Sequence, residues 1–153
     1  MLQLTTPNLR TIGIVDDDPF VRTAVSRLVR SLGMQPQAFA SAEEFLQQRG
    51  FEIVDCAITD VQMGGMSGLD MQDQLLADGC RLPLIFITAF PEESIRRRAM
   101  AAGASGFFSK PFNAGELVSC IERALAAATV AETVADAVAD TVAPDRQHDK
   151  DPS

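Results

Sequence analysis

The stretch IGIVDDDPF, residues 12–20, joins a short apolar segment to three consecutive aspartates and a proline. Its apolar residues suit a buried β-strand, and Pro19 suits the first position of an α-helix. A strand that passes directly into a helix is the beginning of a β-α unit. The three adjacent carboxylates repel one another, and a cation beside them would relieve that repulsion.

Apolar runs alternate with amphipathic stretches along the rest of the chain. The apolar runs are TIGIV (11–15), VDCAIT (54–59), PLIFIT (83–88) and GFFS (106–109), with MQPQAFA (34–40) as a weaker strand. Short apolar runs that do not alternate are typical of strands buried on both faces of a parallel sheet, and Pro36 favours an edge position. The helical patterns cover residues 19–32, 41–49, 68–78, 91–102 and 113–127. Five β-α units predict an α/β fold with helices on both faces of the sheet.

Several helix starts are marked by capping residues. Asp18 directly precedes Pro19, so we expect it to cap the first helix. Later starts carry Ser41 with Glu44, Ser67 with Asp70, and Asn113 with Glu116. For the first helix the pattern predicts an inward stripe of Phe20, Ala24, Val25, Leu28 and Leu32, with Arg22, Ser26 and Arg30 on the polar face.

The composition is that of a globular protein with an acidic net charge. The 153-residue chain is 46% hydrophobic and 22% charged, which is ordinary for one globular domain with an appendage. Its net charge of −8 argues against direct binding of nucleic acid. The sequence shows no run of 18 apolar residues and no secretory signal, so we expect a cytoplasmic protein that does not enter a membrane. Cys56, Cys80 and Cys120 lack a C-x-x-C spacing and are predicted to be reduced thiols.

Chemically versatile residues follow four of the predicted strands. Asp16, Asp17 and Asp18 follow the first strand, Asp60 the third, Thr88 the fourth and Lys110 the fifth. In parallel sheets, ligands bind at the carboxyl ends of the strands. Clustered carboxylates suit Mg²⁺, and one of them can act as a nucleophile toward a phosphoryl group. Lys110 and the ion would neutralise phosphoryl oxygens, and Thr88 would donate a hydrogen bond to one of them.

Four segments together resemble the receiver domain of two-component response regulators, in its FixJ-like branch. They are IVDDDPFVR, CAITDVQMGGMSGLD, FITA and GASGFFSKPF, and SAEEFL also fits that branch. The resemblance covers residues 9–127. It implies a flavodoxin-like (βα)5 fold, a doubly wound parallel sheet with strand order 2-1-3-4-5.

The resemblance also implies a phosphorylation site. Asp60 matches the residue that takes a phosphoryl group from a phosphohistidine on a sensor histidine kinase or a histidine phosphotransfer protein. Asp16 and Asp17 match the acidic pair that holds Mg²⁺, together with Asp60 and the backbone carbonyl of Gln62. Lys110 matches the lysine that contacts the phosphate.

A switch accompanies that site in the family. Thr88 matches the switch hydroxyl, and Phe107 matches the aromatic residue that changes rotamer with it. The peptide bond between Lys110 and Pro111 is a candidate for the cis form. The resemblance therefore implies a switch, and not a turnover enzyme, whose fourth and fifth helices control a protein partner or whose aspartate relays the phosphoryl group onward.

The sequence departs from the family pattern near the predicted acceptor. Gly64 replaces the usual proline, which makes the loop after Asp60 more flexible. Gln62 and Phe90 occupy positions that we expect to influence the lifetime of the phosphate. Phe90 stands where a polar side chain would orient an attacking water, so we expect it to shield the acyl phosphate.

Three other functions are compatible with parts of this pattern. A receiver that binds partners without phosphorylation remains an alternative, although all five expected site residues are present. An aspartate-nucleophile phosphatase would need a second acid at position 62, where Gln62 stands. A dinucleotide-binding enzyme would need a glycine-rich turn after the first strand, where the aspartates would repel a pyrophosphate.

Two regions outside the site carry charge. Arg96, Arg97 and Arg98 form either a solvated face paired with Glu92 and Glu93, or a surface for docking or homodimerisation with the fifth helix. Residues 128–153 form an acidic tail rich in alanine and valine, in which we expect an extension of the last helix followed by disorder. No DNA-binding helix-turn-helix follows residue 127, so we expect either a single-domain regulator or a shortened chain.

Overall fold

The computed structural model describes residues 9–128, and these form one parallel five-stranded sheet with helices on both faces. The strands are β1 (Thr11–Val15), β2 (Gln35–Phe39), β3 (Cys56–Asp60), β4 (Leu84–Thr88) and β5 (Gly106–Ser109). Their spatial order is β2-β1-β3-β4-β5, which confirms the predicted flavodoxin-like fold. The chain reverses its direction of winding between β1 and β3. Pro36 lies in β2, which is an edge strand as its sequence predicted.

Five α-helices connect and flank the strands. They are α1 (Pro19–Ser31), α2 (Ala42–Gln47), α3 (Gly68–Ala77), α4 (Glu93–Ala101) and α5 (114–128). All four predicted caps are present, on Asp18, Ser41, Ser67 and Asn113. The second helix is shorter than predicted, because Arg49 adopts a left-handed φ of 53° and a 3₁₀ turn at Gly50–Glu52 follows. Among the described helices, none has the length and apolar character needed to cross a lipid bilayer.

Two apolar layers cover the two faces of the sheet. Helices α1 and α5 pack on one face through residues that include Val25, Val29, Leu117 and Ile121. Helices α2, α3 and α4 pack on the other face through residues that include Phe45, Met71, Leu75 and Ala99. Burial on both faces explains why the central strands are apolar without alternation. Cys56 and Cys120 lie inside the first layer as free thiols.

The predicted inward stripe of α1 is partly wrong. Phe20 is 83% exposed and Ala24 is also exposed, whereas Val25 and Val29 are fully buried. The first turn of α1 lies beside the carboxyl edge of the sheet, so Phe20 does not pack against the apolar layers formed by residues 9–128. Ala24 lies one residue before Val25 in the helix. The rotation between successive helical residues therefore turns its side chain away from the buried row of Val25 and Val29 and toward solvent.

The predicted tail, residues 128–153, falls outside the described part of the chain from residue 129 onward. Helix α5 is described to residue 128. The expected domain boundary at residue 127 and the expected character of residues 128–153 therefore stay predictions.

Candidate functional site

The register of the strands brings the predicted residues to one edge of the sheet. Val15 pairs with Thr59, so Asp16 and Asp60 follow neighbouring positions of β1 and β3. Asp60 pairs with Ile87, and Thr88 pairs with Ser109. Lys110 follows Ser109 directly, so the carboxylates, the hydroxyl and the ammonium meet at the carboxyl edge, as the sequence predicted.

Lys110 joins two of the carboxylates. Its Nζ lies 3.1 Å from Asp16 Oδ2 and 3.1 Å from Asp60 Oδ2. Burial by itself lowers the pKa of the Lys110 ammonium, but the hydrogen bonds to the two carboxylates outweigh it, and the net shift is upward. Lys110 is therefore a stable cation at the centre of the site. Its peptide bond to Pro111 is cis, as predicted.

Asp16 is the most enclosed member of the site. Its side chain is fully buried, and Oδ1 accepts a hydrogen bond from the backbone N–H of Asp18 at 2.9 Å. Burial raises the pKa of the Asp16 carboxyl, while the hydrogen bonds from Asp18 and Lys110 oppose that rise. Asp18 has a separate role, because its own Oδ1 accepts from the N–H of Phe20 and caps α1.

Three carboxylates are arranged so that they can hold a cation. Asp16, Asp17 and Asp60 each place one oxygen within 4.8 Å of the others. Asp16 and Asp60 are buried, whereas Asp17 is exposed and opens the cluster to solvent. Hard carboxylate oxygens with access to water are the ligands that Mg²⁺ prefers, so the donor set fits this ion. Gln62, the other predicted ligand, donates its backbone N–H to Asp60 Oδ1 at 3.2 Å.

The predicted switch residues lie beside this cluster. Thr88 is 1% exposed, and its Oγ1 accepts a hydrogen bond from the N–H of Phe90 at 3.1 Å. Phe107 is half-buried, with its ring centroid 6.4 Å from that of Phe86. The side chain of Phe90 is 64% exposed. The switch roles of Thr88 and Phe107, and the shielding role of Phe90, stay predictions.

Two side chains reach this edge without having been predicted to do so. Arg22 donates from Nη1 to the backbone carbonyl of Asp16 at 2.7 Å, although its position on α1 predicted a solvated face. Glu43 on α2 contacts the loop after Asp60. Neither contact follows from the periodicity of one helix, because each depends on how that helix packs beside a strand end.

The arginines of α4 form ion pairs. Glu93 binds Arg96 at 2.7 Å and Arg97 at 3.9 Å, whereas the expected pairing of Glu92 with Arg96 is wrong, because Glu92 is the N-cap residue of α4. Arg98 crosses to α3 and binds Asp73 at 2.6 Å. These contacts support the solvated, ion-paired interpretation of this face. Docking or dimerisation through α4 and α5 stays a prediction.

Comparison with known proteins agrees with this geometry. A family model described as the response regulator receiver domain matches residues 12–122. The chain belongs to this family. The receiver is 44% identical over 117 residues to the response regulator protein TmoT of Ectopseudomonas mendocina, which covers 76% of this chain and 53% of TmoT. It is 30% identical over 119 residues to the transcriptional regulatory protein FixJ of Azorhizobium caulinodans, which covers 78% of this chain and 56% of FixJ.

A solved structure shows the same likeness. The response regulator StyR superposes with a TM-score of 0.79 at 35% identity, over 87% of this chain and 67% of the StyR chain. The receiver spans about half the length of the curated relatives it matches. The predicted family and its FixJ-like relatives are thereby confirmed. The chain is a receiver domain of a two-component signalling system. Receiver domains generally bind Mg²⁺ at an acidic pocket, and this chain has an acidic cluster of Asp16, Asp17 and Asp60.

Proposed function

We propose that this receiver is a switch controlled by phosphorylation of Asp60. In the proposed reaction a carboxylate oxygen of Asp60 attacks the phosphorus of a phosphohistidine on a sensor histidine kinase or a histidine phosphotransfer protein. The phosphorus–nitrogen bond breaks, its electron pair returns to the imidazole, and an acyl phosphate forms. The observation that carries the proposal is Lys110 Nζ at 3.1 Å from both Asp16 and Asp60, inside a cluster of three carboxylates.

The charge of the site supports this chemistry. The incoming phosphoryl group is an anion, and Lys110 is the cation beside the oxygen that it would reach. Asp16, Asp17, Asp60 and the carbonyl of Gln62 would hold Mg²⁺, which when bound neutralises phosphoryl oxygens. Asp16 is buried and fixed by Asp18 and Lys110, so that ligand is already oriented before an ion arrives.

The proposed output is a change of surface. Thr88 would turn toward the phosphoryl group, Phe107 would follow into the space that it leaves, and the face made by α4 and α5 would be remodelled. That face would then control a protein partner or form a homodimer. In the relay form of the proposal, Asp60 would instead pass the phosphoryl group onward. Such a receiver forms and loses its own acyl phosphate and turns over no external substrate. Its free thiols agree with the reducing cytoplasm that we propose as its compartment.

Acetyl phosphate with Mg²⁺ tests the proposal without a known kinase. We expect intact-protein mass spectrometry to detect one added phosphoryl group, and we expect the adduct to be absent in Asp60→Asn and in EDTA. Asp18→Asn is the matched control, because Asp18 belongs to the same run of aspartates but caps α1. Absence of an adduct in the parent protein would favour the alternative, a receiver that binds partners without phosphorylation.

A further inference from the structure

The loop that follows Asp60 is held by a side chain from another helix. This acceptor loop, residues 61–67, joins β3 to α3. Glu43, in the first turn of α2, accepts a hydrogen bond through Oε2 from the backbone N–H of Met66 at 2.8 Å. The two residues are 23 positions apart in the sequence. This hydrogen bond lowers the pKa of the Glu43 carboxyl, so the acceptor is an anion at neutral pH.

Gly65 allows the carboxylate to reach the loop. A Cβ atom at position 65 would overlap Glu43 Oε2 and would lie 3.3 Å from Glu43 Cδ. A Cβ atom at position 64 would meet no described atom within 4 Å. Neither glycine has a positive φ, so the backbone accepts alanine at both positions. Alanine substitutions at these two positions therefore separate two effects. Gly65→Ala stiffens the loop and displaces Glu43, whereas Gly64→Ala only stiffens the loop.

The acceptor loop is tied to Asp60 at its beginning. The N–H of Gln62 donates to Asp60 Oδ1 at 3.2 Å, and the N–H of Gly68 donates to the carbonyl of Val61 at 2.9 Å. The side chain of Met66 packs against the apolar layer under α2, α3 and α4. Glu43 adds a fixed point next to the two glycines, where the backbone has most freedom.

We propose that Glu43 is a positioning residue, which holds Met66 and thereby fixes the acceptor loop in the arrangement that Asp60 and the Gln62 carbonyl need for Mg²⁺ binding and phosphorylation. This inference rests on the proposed function. Without Glu43, the binding of Mg²⁺ would also have to order the acceptor loop, and that ordering would reduce the binding free energy. We therefore expect Glu43→Ala to weaken Mg²⁺ binding by roughly tenfold, the size associated with a hydrogen bond to a charged group.

The first test needs neither the ion nor phosphorylation. Hydrogen exchange of the Met66 amide in the metal-free protein reports directly on the contact. We expect fast exchange in Glu43→Ala and Gly65→Ala, and slow exchange in the parent protein and in Gly64→Ala. Glu43→Gln keeps a carbonyl acceptor, so we expect it to restore part of the protection. Equal exchange in the parent protein and Glu43→Ala would overturn the inference.

The second test asks whether the contact between Glu43 and Met66 affects Mg²⁺ binding and phosphorylation at Asp60. Calorimetric titration with Mg²⁺ and the rate of labelling by acetyl phosphate are measured for the same variants. Weaker binding and slower labelling in Glu43→Ala and Gly65→Ala, with Gly64→Ala close to the parent, support the inference. Parent-like values in Glu43→Ala contradict it while leaving the proposed function intact. A parent protein that is never labelled overturns the proposed function and this inference with it.

Discussion

Replacing Asp16 by asparagine should cost stability in the absence of metal, whereas the same replacement at its neighbour Asp17 should cost little or none. Asp16 is fully buried and binds Lys110 Nζ at 3.1 Å, whereas Asp17 is exposed at the open side of the carboxylate cluster. Asp16→Asn removes one partner of a buried ion pair and turns an amide toward the ammonium. Asp17→Asn removes a charge that repels Asp16 and Asp60.

The expected magnitudes follow from burial. Removing one partner of a buried ion pair typically destabilises a protein by about 3–5 kcal/mol. The side chain of Lys110 is 18% exposed and keeps contact with water, and Asp16→Asn also relieves the repulsion between Asp16 and Asp60. Lys110 also keeps Asp60 as a partner at 3.1 Å, and burial, which raises the pKa of Asp16, already disfavours its charged form in the fold. We therefore expect Asp16→Asn to lose only about 1 kcal/mol, the size of one hydrogen bond. For Asp17→Asn we expect a change within about 0.5 kcal/mol, or a slight gain.

Urea unfolding in EDTA measures this difference. Urea is uncharged and does not screen the ion pair, and linear extrapolation gives the free energy of unfolding in water. Equal m-values in the three proteins would show that the variants differ in stability rather than in compactness. The reasoning would be refuted if Asp17→Asn lost as much stability as Asp16→Asn, or if Asp16→Asn lost none.

Three further predictions concern other parts of the receiver. Burial raises the pKa of the Cys56 thiol to about 12, so the stability that it contributes is complete below pH 9 and is lost as the pH rises toward 12. Cys120, whose pKa is also raised by burial, and Lys110 titrate in the same interval, so the comparison is with Cys56→Ala. We expect the free energy of unfolding to fall by up to roughly 4 kcal/mol more in the parent protein than in Cys56→Ala over that interval, and equal falls would contradict this. A Cβ at position 68 would overlap the backbone oxygen of Asp60 and lie 3.2 Å from Phe86, so Gly68→Ala should destabilise the fold by about 1–3 kcal/mol in urea. Gly64→Ala, at an open position with a compatible backbone, should leave the unfolding midpoint unchanged or raise it slightly, and an equal loss in both variants would disprove the steric argument. If Phe90 shields the acyl phosphate, Phe90→Glu should shorten the half-life of labelled Asp60, measured by the decay of the phosphoryl mass; an unchanged half-life would reject the shielding role.

The fold and the candidate site were largely predictable because both depend on local patterns. Apolar runs without alternation located the parallel strands, and the residues directly after them had to meet at one edge once the strand order was known. The capping residues located the helix starts. The site could be predicted because Asp16, Asp60 and Lys110 each directly follow, or end, a strand.

Contacts between elements could not be predicted in this way. The helical period predicts Phe20 inside, but α1 begins beside the sheet edge, and among the described residues Phe20 lies outside both apolar layers. Glu43 reaches the acceptor loop, 23 positions away, through packing of α2 beside it, and Arg22 turns back six positions to the carbonyl of Asp16 at the end of β1. Such contacts depend on the position of whole elements, which a single sequence does not encode as a period or a spacing.

Mapping the acyl phosphate tests the central claim most directly. After incubation with acetyl phosphate and Mg²⁺, borohydride reduces an aspartyl phosphate to homoserine, which peptide mass spectrometry locates. We predict homoserine at position 60, in the parent protein and in Asp18→Asn, with none in Asp60→Asn. Homoserine at Asp16 or Asp17, or at no aspartate of the parent protein, would contradict the account.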